Sequence, residues 1–208
     1  MDTTIVIQGP TNYYKEVLKN LSSNQQYVWS TWDNEPDENL NQISKEIPLI
    51  ITSKPNNVGT SNINLQCTSS FNGIKQSNTQ FIFKTRSDMV FDNIDKLLEI
   101  ISKNNKTLSF IHYGMYMNYR QVCDWFSFGN LENSKIFWNY KSKDNHYPPP
   151  ETRLTNNYIE KSKETFENFN FFNHLTKEFD IYWIKKNLQL SNFYKNGAGS
   201  DVRPKIYE

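Results

Sequence analysis

Three charged side chains at alternate positions end one of the apolar stretches of this chain. The stretch reads Phe-Ile-Phe-Lys-Thr-Arg-Ser-Asp-Met over residues 81–89, and its charged residues are Lys84, Arg86 and Asp88. Alternate residues of a β-strand point to one face, so these side chains would lie side by side. A carboxylate beside two cations could hold a divalent metal ion, Mn²⁺ or Mg²⁺, against a diphosphate. A salt bridge at the end of a surface strand is the alternative interpretation.

Polar residues also follow two earlier apolar stretches. Residues 3–8 read Thr-Thr-Ile-Val-Ile-Gln and run into Gly9. Gln8 could read the edge of a nucleobase, and Gly9 would let a ligand approach the backbone closely. Asp33 follows a second stretch and could accept a hydrogen bond from a nucleoside. A strand-ending turn and a solvated acidic loop would explain the same residues without a ligand.

Two more carboxylates are candidates for a general base. Asp124 precedes Trp125 and Phe126. An acid flanked by aromatic rings suits a sugar site, in which a ring stacks on the sugar and the carboxylate takes a hydroxyl proton. Glu151 follows three prolines and could enter a cleft from a loop. The alternatives are a helix-capping aspartate among core aromatics and a charge at a helix start.

The order of the apolar stretches predicts the strands and helices that carry these residues. In the first 113 residues, strands alternate with helices, which is typical of an α/β sheet whose strands are largely parallel. Open sheets of this kind bind ligands at the carboxyl ends of their strands, where the candidate residues lie. The predicted strands are 3–8, 27–29, 48–52, 81–86 and 108–113, the predicted helices start near Thr11, Ser61 and Asp92, and the acidic residues 33–38 are assigned to a loop.

The second half of the chain has a less regular pattern. We predict a short helix over 131–140 and two helices over 155–169 and 172–190, the last from a stripe of aromatic residues. Residues 196–208 are polar and contain two glycines. The sequence therefore predicts one domain over residues 1–195, with a mostly parallel central sheet flanked by helices, and a polar C-terminal tail over 196–208.

Composition excludes several classes of function. The chain has 23 basic and 22 acidic residues and a net charge of +1, so it lacks the bulk positive charge of a nucleic-acid-binding protein. Its two cysteines and three histidines are scattered, without the spacing of a structural zinc site. No signal peptide and no membrane-spanning run are evident. We therefore expect a cytoplasmic protein, for which peripheral contact with a membrane is compatible with the sequence.

Three motifs in order resemble one known family. The opening Thr-Ile-Val-Ile-Gln-Gly-Pro, the strand Phe-Lys-Thr-Arg-Ser-Asp-Met and the later Val-Cys-Asp-Trp-Phe-Ser-Phe-Gly-Asn look like the WavE lipopolysaccharide-synthesis family. Members of that family are glycosyltransferases of the GT-A type, with an α/β fold that binds a nucleotide sugar. The likeness runs from about residue 3 to Glu151.

This resemblance implies a role for each candidate residue. Gln8 and Gly9 would line the nucleoside pocket, and Asp124 and Trp125 would face the acceptor. The motif at Lys84, Arg86 and Asp88 would occupy the place of the GT-A Asp-x-Asp motif. Asp88 would hold the metal ion and the two cations would add charge to the diphosphate site. Asp33 remains a nucleoside-side candidate, and Glu151 a second candidate base.

The chain departs from the family pattern in two places. Arg86 stands where the first aspartate of Asp-x-Asp usually stands, which leaves dependence on Mn²⁺ or Mg²⁺ open. Leu65 replaces the arginine of a family Asn-Arg-Gln triplet, which here lies within Asn-Ile-Asn-Leu-Gln over residues 62–66. One phosphate contact would therefore be missing or supplied by another residue.

The expected function is transfer of a sugar from a nucleotide-sugar donor to a surface-glycan or lipopolysaccharide-type acceptor. Two alternatives stay open. A sugar nucleotidyltransferase shares phosphate binding on an α/β fold, but usually has a glycine-rich basic loop after its first strand, which residues 9–13 lack. A degenerate glycosyltransferase fold could instead serve as a module that binds carbohydrate or nucleotide without catalysis.

Overall fold

The computed structural model describes residues 2–91, 93–103, 108–111, 122, 124–142, 149–172, 181–184 and 205–207. The strands in these ranges are β1 (Thr3–Gln8), β2 (Gln26–Trp32), β3 (Leu49–Thr52), β4 (Phe81–Arg86), β5 (Met89–Phe91), β6 (Leu108–Ile111), β7 (Ser127–Asn130), β8 (Asn170–Phe172), β9 (Ile181–Ile184) and β10 (Lys205–Tyr207). The α-helices are α1 (Tyr14–Lys19), α2 (Asp37–Glu46), α3 (Ile63–Lys75), α4 (Ile94–Ser102), α5 (Leu131–Trp138) and α6 (Pro150–Ser162).

Seven strands form the central sheet, in the order β3-β2-β1-β4-β7-β6-β8. Strand β1 is an interior strand, the third of the seven, and is buried along its whole length, since its apolar residues face both sides of the sheet. Parallel pairing joins β1 to both β2 and β4, whereas β7 runs antiparallel to β4 and β6. The predicted mostly parallel sheet is confirmed.

Helices cover both faces of this sheet. On one face, Ile5 and Phe83 pack in a buried cluster with residues of α1, α2 and α4. On the other face, Val6 and Ile82 pack with residues of α3, α5 and α6. Alternate residues of one strand thus enter two different cores. Lys84 and Arg86 follow Ile82 at alternate positions, so they belong to the α3 face.

Two short regions after β2 and β6 differ from the sequence prediction. Residues 37 and 38, which the sequence assigns to an acidic loop, begin the helix α2. Asp37 and Glu38 lie in its first turn, where carboxylates stabilise the positive end of the helix dipole, and Leu40 and Ile43 are buried. Strand β7 was not predicted, because four residues with a central glycine carry almost no pattern of their own.

The C-terminal part differs more. The predicted helix over 155–169 is instead α6, which begins at Pro150, ends at Ser162 and is followed by a 3₁₀ turn at Phe166–Asn168. The helix predicted over 172–190 is wrong where the structure describes it, because Ile181–Ile184 is strand β9. Pairing with the distant strand β5 overrides the helical spacing there.

Strands β5, β9 and β10 form a small second sheet. Strand β10 lies within the predicted polar tail and pairs parallel to β9. The predicted domain boundary at residue 195 falls outside the described residues and stays a prediction. The short helix predicted over 131–140 is confirmed by α5, while the predicted helix cap Asp92 lies outside the described residues.

Candidate functional site

The carboxyl ends of β1, β2 and β4 meet at one edge of the sheet. Gln8 is the register partner of Ser30 on β2 and of Arg86 on β4. Backbone bonds continue past the strands, since the Ser87 N–H donates to the Gln8 carbonyl at 2.9 Å and the Gly9 N–H donates to the Ser30 carbonyl at 3.2 Å. The three predicted residues Gln8, Gly9 and Arg86 are therefore neighbours on one rigid edge.

Gly9 has a backbone that other residues rarely adopt. Its φ is +128°, and a Cβ atom placed there would lie 2.6 Å from the Ser87 hydroxyl oxygen. Both facts require glycine at this position. The indole N–H of Trp29 also donates to the Gly9 carbonyl, at 3.3 Å. The turn after β1 is thus held close against the turn after β4.

The Gln8 side chain carries an unsatisfied polar atom. Its residue is 9% exposed, and its Oε1 atom is buried without a hydrogen-bond partner among the described residues. The Ser30 hydroxyl, on the neighbouring strand, is in the same condition. Buried polar atoms are normally hydrogen-bonded, so the Gln8 amide oxygen is an acceptor that a ligand at this end of β1 could satisfy, whereas the Ser30 hydroxyl is fully buried beside Gly73 of α3.

Arg86 and Asp88 form a two-point ion pair in the turn between β4 and β5. The guanidinium donates from Nε to Oδ1 of Asp88 at 2.9 Å and from Nη2 to Oδ2 at 2.7 Å. Their side chains are 33% and 25% exposed. The alternative that the sequence left open, a salt bridge at the strand end, is therefore present in the structure.

A divalent cation does not fit this donor set as it stands. Mg²⁺ and Mn²⁺ prefer several oxygen ligands, and both oxygens of Asp88 already accept bonds from Arg86. The described part of the chain holds no group of three or more histidine, cysteine, aspartate or glutamate residues that could bind a metal ion. Binding of Mn²⁺ or Mg²⁺ at Asp88 therefore stays a prediction.

Lys84 lies deeper than the other two charged residues of its strand. Its side chain is fully buried, and its Nζ donates to the Asp124 carbonyl at 2.9 Å and lies 4.2 Å from the centre of the Trp138 ring. Burial lowers the pKa of Lys84 to about 7, and the charge of Asp124 partly offsets this shift. Lys84 therefore does not face solvent at the edge where Gln8 and Arg86 lie.

Asp124 and Trp125 lie just before β7, beside the end of β4. The Asp124 carbonyl accepts a second bond, from Gln66 Nε2 on α3 at 3.0 Å. Trp125 is half-buried and packs against the core on the α1 and α4 face. The fold thus brings Asp124 next to Lys84, although 40 residues separate them in the chain.

Asp33 lies at the carboxyl end of β2, outside the strand. It is exposed, and its Oδ2 accepts a bond from the Ser53 hydroxyl at 2.5 Å. Glu151 is half-buried in the first turn of α6, where its carbonyl accepts a bond from the Thr155 hydroxyl. The predicted loop position of Glu151 is wrong, since it belongs to a helix.

Two polar residues near the candidate site hold its loops in place, and the sequence did not reveal this role. The buried side chain of Asn64 donates to the carbonyls of Asn57 and Ser142 and accepts from the Ser142 N–H at 2.6 Å. Glu35 accepts both the N–H and the hydroxyl of Thr11. Asn64 therefore secures the start of α3, and Glu35 ties the turn after β1 to the one after β2.

The sheet and its flanking helices form an α/β fold of the GT-A type. The crystal structure of S. aureus TarS 1-349 in complex with UDP-GlcNAc matches with a TM-score of 0.56 and 12% identity, over 90% of this chain and 59% of that chain. S. aureus TarS 1-349 alone matches with a TM-score of 0.55 and 11% identity, over 86% and 59% of the two chains.

A longer TarS structure matches over 94% of this chain and 38% of its own, with a TM-score of 0.53 and 11% identity. This chain thus spans less than two thirds of each of these three TarS structures, and at such identity the likeness shows the fold alone. No protein-family model matches the sequence, and no curated protein matches it. The resemblance to WavE therefore stays a resemblance carried by three motifs. Among the described residues, no helix could cross a membrane.

Proposed function

We propose that this chain is a glycosyltransferase that takes a sugar from a nucleotide-sugar donor. The observation that carries the proposal is the polar edge formed by Gln8, Gly9 and Arg86 at the carboxyl ends of β1 and β4. Ligands of open α/β sheets bind at such ends. The GT-A-like fold supports a nucleotide sugar as the ligand, and UDP-GlcNAc, which TarS holds, is the first donor to test.

On the donor side, Gln8 binds the base and Arg86 the diphosphate. The Oε1 atom of Gln8 can accept the N–H of a base edge, which would satisfy a buried atom that has no partner among the described residues. Gly9 lets the donor approach the backbone, and Asp33 takes a ribose hydroxyl from the neighbouring strand end. Arg86 presents a planar donor fork to phosphate oxygens, and Asp88 orients that fork.

The leaving group is the nucleoside diphosphate, whose negative charge grows as the bond to the sugar breaks. A guanidinium at that position stabilises the charge in the transition state. A metal ion, if Asp88 binds one, would act as a Lewis acid on the same oxygens. No step here depends on it, because the Asp88 carboxylate is already bound by Arg86.

On the acceptor side, Asp124 is the first candidate for the base and Glu151 the second. The carboxylate takes the proton of an acceptor hydroxyl, the freed oxygen attacks the anomeric carbon, and the carbon–oxygen bond to the diphosphate breaks with its electron pair on the leaving group. Trp125 offers a ring face for the acceptor sugar. This is the inverting arrangement.

The acceptor we propose is a surface glycan or a lipopolysaccharide-type molecule. Its support is the resemblance of three motifs, the last of which contains Asp124 and Trp125, to the WavE family. We further propose that the protein works in the cytoplasm and meets a lipid-linked acceptor at the membrane surface. The sugar and the base of the donor are questions for the experiment below.

A thermal-shift screen tests the donor side. UDP, GDP, CDP, ADP and UDP-GlcNAc are each added with Mn²⁺, with Mg²⁺ or with EDTA. At a ligand concentration near 100 times Kd, linkage gives about 2.7 kcal/mol of stabilisation, which is a rise in Tm of roughly 5–10 °C for a chain of this size. A rise only with metal would favour the Asp88 metal site, and a rise in EDTA would favour Arg86.

The absence of a shift with every nucleotide would rule out the donor site. Release of the nucleotide from UDP-GlcNAc in water then separates a transferase from a binding module, because a true transferase site slowly uses water as its acceptor. Binding without any release would favour the module.

A further inference from the structure

The segment in front of β7 is held through its backbone. Residues 124 and 125 carry the proposed base and the proposed acceptor platform, and the Asp124 carbonyl accepts one bond from Lys84 and one from Gln66. We call these two donors and this carbonyl the carbonyl clamp. A bond to the carbonyl holds the main chain in place and leaves the carboxylate available for chemistry.

Both donors stand on rigid elements. Lys84 belongs to β4, which pairs with β1 on one side and with β7 on the other. Gln66 belongs to the thirteen-residue helix α3. The clamp therefore ties the position of residues 124 and 125 to the same strand that carries Arg86, two residues further on. Donor side and acceptor side share one support.

A buried lysine at position 84 is energetically unfavourable compared with an apolar side chain. Its side chain is fully buried, and its Nζ contacts the Asp124 carbonyl and the Trp138 ring. Replacing buried charged groups by apolar residues of similar size is often neutral or stabilising. Stability alone therefore does not explain why a lysine occupies position 84. A lysine can donate a hydrogen bond to a backbone carbonyl, which no apolar side chain could do, and this explains the residue.

The surroundings also argue against a direct role in donor binding. The Trp138 ring that faces Lys84 is itself held, since its indole N–H donates to the Ser127 hydroxyl at 3.0 Å. Ser127 is the register partner of Lys84 across β4 and β7. Lys84 is thus enclosed between a strand, a helix and a ring, behind the edge at which Arg86 is one-third exposed.

We propose that Lys84 is a positioning residue, which with Gln66 holds residues 124 and 125 in place for the acceptor and does not touch the donor. The role in transfer rests on the proposed function. The sequence alone predicted that Lys84 binds the nucleotide. In this proposal Lys84 acts instead on the acceptor side of the site. A displacement of about 1 Å at a reacting group can cost about 100-fold in rate, which is the scale expected when the clamp opens.

The test compares the Lys84→Met protein with the parent and with Lys45→Met. Methionine removes the charge and the N–H donors at similar length, and Lys45 is an exposed lysine of α2 that serves as the matched control. Three quantities are measured: hydrogen exchange of the amides of residues 124–127, the Kd of UDP-GlcNAc, and release of UDP from UDP-GlcNAc in water.

For Lys84→Met we expect amide exchange at 124–127 to rise about ten-fold or more, the scale of a lost bond to a charged donor. Release of UDP should fall by about 100-fold, while the Kd of UDP-GlcNAc stays within two-fold of the parent. Lys45→Met should change none of the three. Unchanged exchange in Lys84→Met would overturn the proposal, and so would a ten-fold weaker Kd in a folded protein, since that result would make Lys84 a donor ligand.

Gln66→Leu covers the case in which Lys84→Met does not fold. It deletes the second donor of the clamp and leaves Lys84 in place, and we expect about five-fold faster exchange at 124–127. No change there would count against the clamp. If the parent binds no nucleotide, the proposed function fails, but the exchange measurements still decide whether Lys84 and Gln66 hold this segment.

Discussion

Two cationic side chains on one face of β4, only two residues apart, lie in different environments. Arg86, at the strand end, is one-third exposed and forms an ion pair with Asp88. Lys84 is fully buried and donates to a backbone carbonyl under the Trp138 ring. Residue type and spacing thus describe a face of a strand, whereas the depth of a side chain along that face decides whether it reaches solvent or holds the main chain.

The proposed site has two parts, which we call the donor edge and the buried support. The donor edge consists of Gln8, Arg86 and Asp88, and its polar atoms are near solvent or lack a partner among the described residues. The support consists of Lys84 and Gln66, whose polar atoms bond the Asp124 main chain. Substitutions on the two sides should therefore change different measurements.

The largest effect is expected at the proposed base. Asp124→Asn should lower release of UDP from UDP-GlcNAc, or transfer once an acceptor is known, by about 10² to 10⁴, which is the usual contribution of a positioned proton acceptor. The Kd of the donor should stay within a few-fold, because the proposed function places this carboxylate on the acceptor side. Steady-state rates and calorimetric binding measure the two quantities.

Glu151→Gln is the matched control for Asp124→Asn. An inactive Glu151→Gln protein beside an active Asp124→Asn protein would exchange the two roles. Full activity in both would exclude either residue as the base, and a retaining mechanism would then be the better hypothesis.

The next largest effect is expected at the donor edge. Arg86→Met should weaken binding of UDP by about 10- to 100-fold, because a hydrogen bond from a charged donor contributes about 1.5–3 kcal/mol. Exchange of the amides at 124–127 should not change, since Arg86 is not part of the carbonyl clamp. Calorimetric titration in EDTA measures this effect, with Lys45→Met as the control. Equal affinity in Arg86→Met and the parent would remove Arg86 from the site.

A smaller effect is expected from the titration of Lys84. Burial lowers the pKa of Lys84 to about 7. Between pH 7 and the ordinary pKa of lysine, the unfolded chain therefore binds more protons than the folded chain. The free energy of unfolding rises with pH in this range as a result. Buried Cys67, whose pKa is raised by burial, opposes this rise above pH 9. The free energy of unfolding should therefore increase from pH 7 to pH 9, by at most about 1.4 kcal/mol per pH unit.

Urea unfolding of the parent and of Lys84→Met at pH 7, 8 and 9 measures this rise. Methionine does not titrate, so the slope should be smaller in the variant. Other charged groups that act on Lys84 are Arg86, Asp88 and Asp124, and all of them are present in both proteins. Equal slopes in the two proteins would show that Lys84 keeps its proton throughout this range.

The smallest effect on stability is expected at Asp88. Its ion pair with Arg86 is partly exposed, and pairs of this kind contribute about 0–1 kcal/mol, so Asp88→Asn should change the free energy of unfolding by less than about 1 kcal/mol. Any extra thermal shift that Mn²⁺ gives to the parent with UDP should disappear in Asp88→Asn. A metal-dependent shift that survives in the variant would place the metal elsewhere.

Elements with a strong local pattern could be predicted from the amino-acid sequence. Strands β1 and β4 were predicted with the bounds that the structure shows, because their apolar runs are continuous and end in polar residues. The same ends predict a ligand site at that edge of the sheet. Helix α3 was also found, since Ile63, Cys67 and Ile74 share one buried face.

The burial of Lys84 and the strand β9 could not be predicted, because both depend on contacts between residues that are distant in the chain. The spacing of Lys84, Arg86 and Asp88 was visible, but Trp138 and Asp124, which enclose Lys84, come 54 and 40 residues later. Strand β9 exists because β5 pairs with it, against a helical spacing in its own sequence. Local pattern thus shows which face a side chain takes, and only packing fixes its depth and therefore its role.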